Sequence, residues 1–341
     1  MSLPSALPEP THTPLRGGPV LRWGILGPGQ IANDWVETVQ ANTDQRIIAV
    51  GSRSLERAER FAAAHGIPRW YGTYEHFVED PDVDIVYIAA PHSEHRRLAE
   101  LAISAGKHVL IEKPIATSAH EAELIADAAR AAGVFAMEAM WSRFLPQTTI
   151  IAKLLEDGVL GELHGATADF GSEFPFDPSS RIFNPALGGG GLLDLGVYTL
   201  WFTTFALGDP ISIATRGRLA STGVDDEAVV DLTFSNGARG ISFTSISTAT
   251  SVEGLITGDA ARIAVETPFI APGGFRLEAD GEALAWQDET DLRWRGGLCY
   301  VAPAVAAHIA AGRLEAPEHP LAASERVMRL IDTARAQLGA A

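Results

Sequence analysis

The feature that most constrains this chain is the alternation of short apolar runs with helical patterns over residues 21–140. Strands that are apolar along their whole length, separated by helices, form a parallel sheet that helices cover on both faces. Gly66, Gly106 and Gly133 stand where helix C-terminal caps belong. The predicted strands are Leu21–Leu26, Ile47–Val50, Ile85–Ala90, Val109–Ile111 and Phe135–Met140, and the predicted helices are Ile31–Gln40, Leu55–His65, Arg96–Ala105 and Ala119–Ala132.

Beyond about residue 150 apolar and polar residues alternate, which is typical of strands with one buried face. Asn236-Gly237 and Gly258-Asp259 are strong hairpin turns. We therefore predict an α/β chain with an N-terminal Rossmann doubly wound parallel sheet, followed by an α+β domain with a large, mostly antiparallel open sheet. The predicted strands are Gly165–Phe174, Ile213–Leu219, Ala228–Phe234, Gly240–Ser247, Gly254–Ile256 and Arg262–Val265, and two further helices are predicted at Cys299–Ala311 and Leu321–Leu338.

Composition excludes several classes of function. The net charge of -17 disfavours a nucleic-acid partner, because phosphate backbones repel an acidic surface. Cys299 is the only cysteine, so disulfides within the chain and thiolate metal clusters are excluded, and we expect Cys299 to be a buried apolar residue. No apolar run approaches the roughly 18 residues that span a membrane. We expect a cytoplasmic protein without a membrane partner.

A G-x-G-x-x-A motif at residues 27–32 follows the first strand and opens a helix. Gly27 suits the tight turn, Gly29 lets the backbone approach a pyrophosphate, and the helix N-terminus receives the anion. We interpret it as a dinucleotide site, against the alternative of a glycine turn that binds nothing.

Ser52 and Arg53 follow the second strand, where an NAD site usually has an acid for the ribose 2′-hydroxyl. A hydroxyl and a guanidinium suit a 2′-phosphate instead, so NADP is favoured over NAD. The alternative is a surface arginine that caps a loop.

The strand at residues 85–90 ends at Ala90, and Pro91 and His92 follow it, where a cofactor crosses the sheet edge. His92 and His95 could suggest a metal, but no third ligand completes a set, so we predict no metal site.

Lys113 comes just past the carboxyl end of a buried strand, where ligands of doubly wound sheets bind. Catalysis would explain a lysine there, and an ion pair with Glu112 or another acid is the structural alternative.

A run of four glycines at residues 188–191 precedes Asp194 and Tyr198. Glycines allow the backbone to approach a ligand closely. On a helix, Asp194 and Tyr198 would share one face, one turn apart. The alternative is a tyrosine on the core face of a helix.

Together these motifs resemble the glucose–fructose oxidoreductase and inositol dehydrogenase (Gfo/Idh/MocA) superfamily of NAD(P)-dependent enzymes. The resemblance covers residues 21 to about 338 and rests on four segments: the glycine motif, Glu112-Lys113-Pro114, the glycine run with Asp194, and His319-Pro320-Leu321 with its helix. Many members have His where this chain has Tyr198. The tyrosine, together with residues 138–146, is similar to the branch of dimeric dihydrodiol dehydrogenases, NADP-dependent D-xylose dehydrogenases and glucose–fructose oxidoreductase.

The resemblance implies an oxidoreductase that moves a hydride between NADP and a CH–OH carbon of a sugar or diol. It gives Lys113 and Tyr198 the acid–base roles, within hydrogen-bonding reach of each other, since a lysine cation makes the phenol a usable base. Asp194 would bond a substrate hydroxyl or orient Lys113. The cofactor residues expected are Gly27, Gly29, Gln30, Ile31, Ser52, Arg53, Ala90, Pro91, His92, Glu112, Lys113, Trp141 and Arg143, and the substrate residues are Lys113, Trp141, Phe174, Arg181, Asp194 and Tyr198.

The implied organisation has four parts: a disordered tail at 1–20, a NADP-binding Rossmann domain at 21–145, a substrate and dimerisation domain at 146–320, and a helix at 321–341 that packs back on the Rossmann domain. The open sheet is expected to pair two subunits. Two alternatives are a silent NADP-binding regulator on the same scaffold and the NAD-dependent glycoside hydrolase branch. The first is disfavoured by the intact Lys113, Asp194 and Tyr198, the second by the tyrosine.

Overall fold

The computed structural model of the protein describes residues 3–341, which form two compact units. The parallel-sheet unit comprises His12–Phe144 and Arg295–Glu325. The antiparallel-sheet unit comprises Leu145–Trp294, Arg326–Ala341 and the described residues up to Thr11.

The regular elements of the first half alternate as predicted. They are β1 (Arg22–Leu26), α1 (Gln30–Asn42), β2 (Arg46–Gly51), α2 (Leu55–His65), β3 (Arg69–Tyr71), α3 (Tyr74–Val78), β4 (Ile85–Ile88), α4 (His95–Ser104), β5 (His108–Ile111), α5 (Ala119–Ala132) and β6 (Ala136–Glu138). One strand and one helix among them, β3 and α3, were not predicted.

The second half contains α6 (Pro146–Glu156), β7 (Leu163–Gly171), α7 (Val197–Leu207), β8 (Ser212–Leu219), β9 (Asp225–Thr233), β10 (Arg239–Ser245), β11 (Gly254–Gly258), β12 (Arg262–Val265), β13 (Gly274–Ala279), β14 (Glu282–Gln287), α8 (Val301–Ala310) and α9 (Leu321–Leu338). A π-helical turn, Leu192–Gly196, leads directly into α7.

The parallel sheet has the strand order β3-β2-β1-β4-β5-β6 in the described chain, and all of its neighbouring strands run parallel. Every residue of β4 is buried, as a strand covered on both faces requires. This is the doubly wound order, in which ligands bind beyond the carboxyl ends of the strands where the order reverses. That point lies here between β1 and β4, so the predicted Rossmann sheet is confirmed.

Local capping chemistry sets the helix ends of this unit. The Ser54 and Ser118 hydroxyls accept bonds from backbone N–H groups in the first turns of α2 and α5. Gly66 and Gly133 cap the C-termini of the same helices in the left-handed conformation, as predicted. Gly106, with φ of +73°, comes one residue after the cap of α4.

The second sheet has the order β14-β13-β12-β11-β7-β10-β9-β8 and is mostly antiparallel, with β7 and β10 as its parallel pair. The predicted turns are confirmed, since Asn236-Gly237 joins β9 to β10 and Gly258-Asp259 joins β11 to β12. The strands β13 and β14 were not predicted. In β14, at the sheet edge, the side chains are exposed or half-buried on both faces, so no clear alternation marks it.

The helix α7 is apolar on all sides, because it lies buried against β7 and β10. Residues 185–207 have the length and hydropathy to cross a membrane, but 89% of their most apolar 18-residue window is buried within the protein, as in a core helix. The buried Thr199 hydroxyl bonds Ser242 Oγ at 2.5 Å, which satisfies a polar group inside the core.

The chain ends make specific contacts. The segment expected to be a tail has neither helix nor strand over residues 3–20, and within it Arg16 pairs with Asp44 while Pro19 accepts a bond from Gln45. The helix α9 passes from one unit to the other after Glu325. Its Gln337 amide bonds the backbone of β8. Residues 321–341 were expected to pack on the Rossmann domain, but the last turns of α9 pack on the antiparallel sheet.

Candidate active site

The glycine turn after β1 packs directly on the end of β4. Gly27 has φ of +91°, and a Cβ built there would lie 2.7 Å from the Ala90 nitrogen. No L side chain fits this conformation and this space without a shift of the backbone. The turn therefore brings the start of α1 to the point where the strand order reverses.

The N-terminus of α1 is open to a ligand. A Cβ on Gly29 would meet no neighbouring protein atom closer than the Ala89 oxygen at 4.0 Å, and no side chain caps this helix end. Gln30 and Ile31 are the first residues of the helix. Unpaired N–H groups at a helix N-terminus, with no side chain before them, fit the pyrophosphate of a dinucleotide.

Ser52 and Arg53 differ in exposure at the end of β2. Ser52 is buried, and its oxygen accepts a bond from the Ser54 nitrogen at 3.2 Å, which leaves its hydroxyl proton for another acceptor. Arg53 is exposed. The guanidinium rather than the hydroxyl is therefore the group that reaches solvent here.

Two more arginines share the surroundings of Arg53. Burial and the charge of Glu94 raise the pKa of Tyr74, and the positive charges of Arg53, Arg57 and Arg97, the last of which is paired with Glu94 at 2.6 Å, act in the opposite direction. Sequence analysis singled out Arg53 alone, because Arg57 lies inside a helix and Arg97 follows a different strand. The fold gathers three cations around one phenol.

The loop after β4 is tied to the lysine turn. Pro91 precedes a short 3₁₀ turn that begins at His92, which is buried. The fully buried His95 ring lies 2.9 Å from the Ala90 oxygen through Nε2 and 2.9 Å from the Pro114 oxygen through Nδ1. His95, considered in the sequence only as a metal ligand, thus joins two of the predicted site loops.

Glu112, the residue before Lys113, is buried. Its carboxylate accepts bonds from the Tyr87 phenol and, at 3.2 Å, from the Lys113 backbone nitrogen. Burial raises the pKa of Glu112, against the Tyr87 bond and the Lys113 charge, which lower it. Glu112 therefore acts on the backbone of the lysine turn from inside the unit.

Trp141 and Arg143 lie in the 3₁₀ turn Trp141–Phe144, which follows β6. The Trp141 side chain is buried. Burial lowers the pKa of the Arg143 guanidinium, and the charge of Glu318 raises it. Both predicted residues therefore belong to the parallel-sheet unit that holds the glycine turn.

Asp194 is paired with an arginine in the antiparallel-sheet unit. Arg181 Nη1 lies 3.0 Å from Asp194 Oδ1, and the carboxylate is nearly inaccessible to solvent while the arginine is partly exposed. Phe174 lies on the same connection, after β7, and its nitrogen bonds the Ile246 oxygen. Two of the weaker substrate candidates are thus on the loop that leads to Asp194.

The glycine run owes its composition to packing within the chain. A Cβ on Gly189 would lie 2.6 Å from the Ile182 oxygen, and one on Gly190 would lie 2.4 Å from Asp225 Oδ1. Close approach to a ligand was the reason predicted for these glycines. The reason seen for these two is the close approach of the loop to β9 and to its own preceding segment.

Asp225 is a buried acid that sequence analysis missed. Its Oδ2 accepts a bond from the Leu192 nitrogen at 2.6 Å, at the start of the π-helical turn. Burial raises the pKa of Asp225 to about 6, although the Leu192 N–H opposes the shift. In the sequence Asp225 lies just before the predicted strand Ala228–Phe234, and nothing in its local pattern distinguishes it from an exposed acid.

Tyr198 stands in the first turn of α7 and is 5% exposed, with its ring 5.8 Å from that of Phe170. The predicted helix between Asp194 and Tyr198 is interrupted, because Asp194 belongs to the π-helical turn. A π-turn winds more residues per turn than an α-helix, so a spacing of four is not one turn there.

Comparison with known proteins gives one consistent result. Residues 21–140 match an oxidoreductase family with an NAD-binding Rossmann fold, and residues 149–264 match the GFO/IDH/MocA C-terminal domain. The chain is 36% identical over 328 residues to trans-1,2-dihydrobenzene-1,2-diol dehydrogenase of Mus musculus, covering 94% of this chain and 97% of that protein. The Homo sapiens enzyme of the same name is 32% identical, with the same coverage.

Solved structures are also similar. An aldose-aldose oxidoreductase from Caulobacter crescentus, complexed with glycerol, has a TM-score of 0.81 at 26% identity, over 93% of this chain and 97% of that one. A 3-ketoreductase from Actinomadura kijaniata, in complex with NADP and TDP-benzene, has a TM-score of 0.79 at 27% identity, over 93% and 98%.

Proposed function

Because this chain belongs to the Gfo/Idh/MocA oxidoreductase family, we propose that it is a dehydrogenase that moves a hydride between NADP and a CH–OH carbon of a sugar or diol. The observation that carries the proposal is the placement of Lys113 at the carboxyl end of β5, in the same sheet as the open N-terminus of α1. A dinucleotide site and a lysine at one edge of a doubly wound sheet suit hydride transfer to a nicotinamide.

Each side chain has one role in this proposal. When bound, the nicotinamide supplies the centre that accepts or donates hydride. Tyr198 takes the hydroxyl proton of the substrate in oxidation and returns it in reduction. Lys113 supplies the positive charge that favours the phenolate form of Tyr198 and steadies the charge on the substrate oxygen.

Substrate hydroxyls are held by the pair formed by Asp194 and Arg181. A carboxylate accepts and a guanidinium donates, so together they suit two adjacent hydroxyls of a sugar or a diol. Trp141 and Phe174 supply apolar contacts to the same ligand. A flat apolar surface beside polar groups is typical of sites for sugars and aromatic diols alike.

The choice of NADP rests on the surroundings of Arg53. An exposed guanidinium beside a buried serine suits a 2′-phosphate, and Arg57 and Arg97 add positive charge nearby. Arg53→Ala should raise the Kd of NADP about tenfold or more and leave that of NAD nearly unchanged, as protein fluorescence titration can measure. Arg60→Ala is the control, because Arg60 lies in α2, which begins two residues after Arg53, and is paired with Glu56. Equal losses for both cofactors would mean that Arg53 only stacks on the adenine or caps the loop.

The experiment that tests the activity is a substrate panel. Pentoses, hexoses, a disaccharide and a trans-dihydrodiol are incubated with NADP⁺ and, separately, NAD⁺, and reduced nicotinamide is followed by absorbance. We expect turnover with at least one sugar or diol and a preference for NADP⁺. Cofactor binding without turnover of any substrate would support a silent regulator instead, and a cleaved glycoside without net reduced cofactor would support the hydrolase branch. A cytoplasmic location and a homodimer complete the proposal.

A further inference from the structure

A buried acid on β6 joins the turn of Lys113 to the C-terminal part of the parallel-sheet unit. Glu138 is 1% exposed, and its Oε1 accepts a bond from the Ile115 nitrogen at 2.9 Å. Its Oε2 lies 3.0 Å from His319 Nε2 and accepts a bond from Ser324 Oγ at 2.6 Å. Every contact of this cluster is made inside one unit.

The carboxylate is kept charged although it is out of water. Burial raises the pKa of Glu138, but bonds from His319 and Ser324, the charge on His319 and the Ile115 N–H outweigh it, so the pKa lies below its ordinary value. A buried carboxylate with bonded partners is weak evidence for stability, because apolar residues of equal volume often stabilise as well or better. The role of Glu138 is therefore to be inferred from the backbone that it bonds.

The cluster holds the residues immediately after Lys113. Ile115 is bonded by Glu138, Pro114 by His95 through its carbonyl oxygen, and the Lys113 nitrogen by Glu112. Three buried side chains, from α4, from β6 and from the residue that follows β5, thus bond three successive residues of one turn. Only the Glu138 bond depends on groups from the far end of the chain, where His319 belongs to a motif that the reaction itself does not use.

We propose that Glu138, with His319 and Ser324, is a positioning group that fixes the Lys113 turn in its working orientation. This inference rests on the proposed function, in which Lys113 acts on the substrate. Glu138 bonds the backbone two residues after Lys113, so it fixes the position of the backbone from which the lysine side chain extends. A displacement of about 1 Å at a reacting group can cost ~100-fold in rate.

The test is a double-mutant cycle between Glu138 and Lys113. Glu138→Gln keeps the shape of the side chain and removes the negative charge that His319 and Ser324 contact. We expect kcat to fall by ~10–100-fold, with KM for the sugar or diol and the Kd of NADP changed by less than about threefold. In a Lys113→Ala background the same change should cost less than about threefold, because residues that act as a unit are non-additive.

Glu121→Gln is the matched control. Glu121 also accepts a backbone N–H bond in this loop, from Thr117 at 3.2 Å, together with the Thr117 hydroxyl at 2.6 Å. The substitution removes an equal charge from a carboxylate that bonds Thr117, two residues after Ile115, and kcat should stay within about twofold of wild type. Ser324→Ala, which keeps the Glu138 carboxylate and its contact with His319, should show a smaller fall than Glu138→Gln and serves if the latter does not fold.

The outcomes separate the two proposals. Equal losses from Glu138→Gln in both backgrounds, or unchanged kcat in Glu138→Gln and Ser324→Ala alike, overturn the positioning role. If Lys113→Ala alone keeps near-full turnover, the proposed catalytic role of Lys113 fails instead.

Discussion

At the scale of single residues, this protein places charged groups where water is scarce and compensates each in a different way. Glu112 is bonded by a phenol, Glu138 by a histidine and a serine, and Asp194 by an arginine. Asp225 receives backbone N–H groups and keeps a raised pKa. Burial thus raises the pKa of Glu112 and of Asp225, whereas the bonds to Glu138 keep its pKa below the ordinary value.

Tyr198 is the residue on which the proposed chemistry depends most. Tyr198→Phe removes one hydroxyl and keeps the ring that contacts Phe170. General acid–base catalysis is typically worth ~10²–10⁴-fold, so kcat should fall by that factor while the Kd of NADP barely changes. Steady-state kinetics on the best substrate of the panel, with a binding titration, measures both. Near-full turnover in the variant would assign the proton to Lys113 or to water.

Asp225 predicts a pH dependence of stability. Its pKa is raised to about 6 in the folded protein, above the ordinary value of an aspartate, so its contribution to stability is present at low pH and is lost as the pH rises through 6. Between pH 5 and pH 7.5 the free energy of unfolding of wild type should therefore fall, relative to Asp225→Asn, by about 1–2 kcal/mol.

Urea unfolding of both proteins at the two pH values tests this expectation. Asp226→Asn is the control, because the neighbouring Asp226 is paired with the largely exposed Arg218. A constant difference between wild type and Asp225→Asn across this range would show that Asp225 does not titrate there.

At the scale of elements, the segment before α7 shows how a loop and a helix start are built as one piece. The loop after Arg181 folds back so that its carbonyl oxygens pack on Gly189. The π-helical turn then begins on the carboxylate of Asp225. The loop oxygens require glycine at 189, and the Asp225 carboxylate requires glycine at 190. This packing brings Arg181 to Asp194.

Gly190→Ala tests that construction. Gly190 has φ of +116°, and its added Cβ would lie 2.4 Å from Asp225 Oδ1, so both backbone strain and a clash are expected. Gly208→Ala is the matched control, because Gly208 has φ of +83° with no atom within 4 Å of the added Cβ. The control should lose about 1 kcal/mol and Gly190→Ala at least about 2–3 kcal/mol in urea unfolding. Equal losses would mean that Asp225 moves aside freely.

At the scale of the whole molecule, the second sheet has one buried face at β9 and β10, and the alternate residues of these strands are mostly half-buried or exposed. The helix α7 covers the buried face at β7 and β10. On the alternate face Val229 is 39% exposed and is the cross-strand partner of the half-buried Phe243. Apolar side chains in the middle of an open sheet are typical of an interface.

We predict a symmetric homodimer through this face. Light scattering at micromolar concentration should give about twice the chain mass of 36.3 kDa. Val229→Glu should shift the protein to the monomer, whereas Leu314→Glu, at an exposed site of the parallel-sheet unit, should not. A wild-type protein that is monomeric under these conditions contradicts the prediction.

What the sequence determined by itself is what depends on neighbours along the chain. The alternation of apolar strands and helices, the caps at Gly66 and Gly133, the turn at Gly27 and the hairpin at Asn236-Gly237 all follow from local periodicity and backbone freedom. These local features are sufficient to place the dinucleotide motif and Lys113 at the carboxyl edge of one parallel sheet.

Other features depend on residues that lie far apart in the chain, and they are seen only in the tertiary structure. The parallel pairing of β7 with β10, the bond of Glu138 to His319 and the bond of Asp225 below the glycine run join segments that no local pattern relates. The same holds for the weakly patterned strand β14 and for the last turns of α9. Burial and charge compensation are properties of a neighbourhood in space, so in the sequence an acid such as Asp225 does not differ from one on the surface.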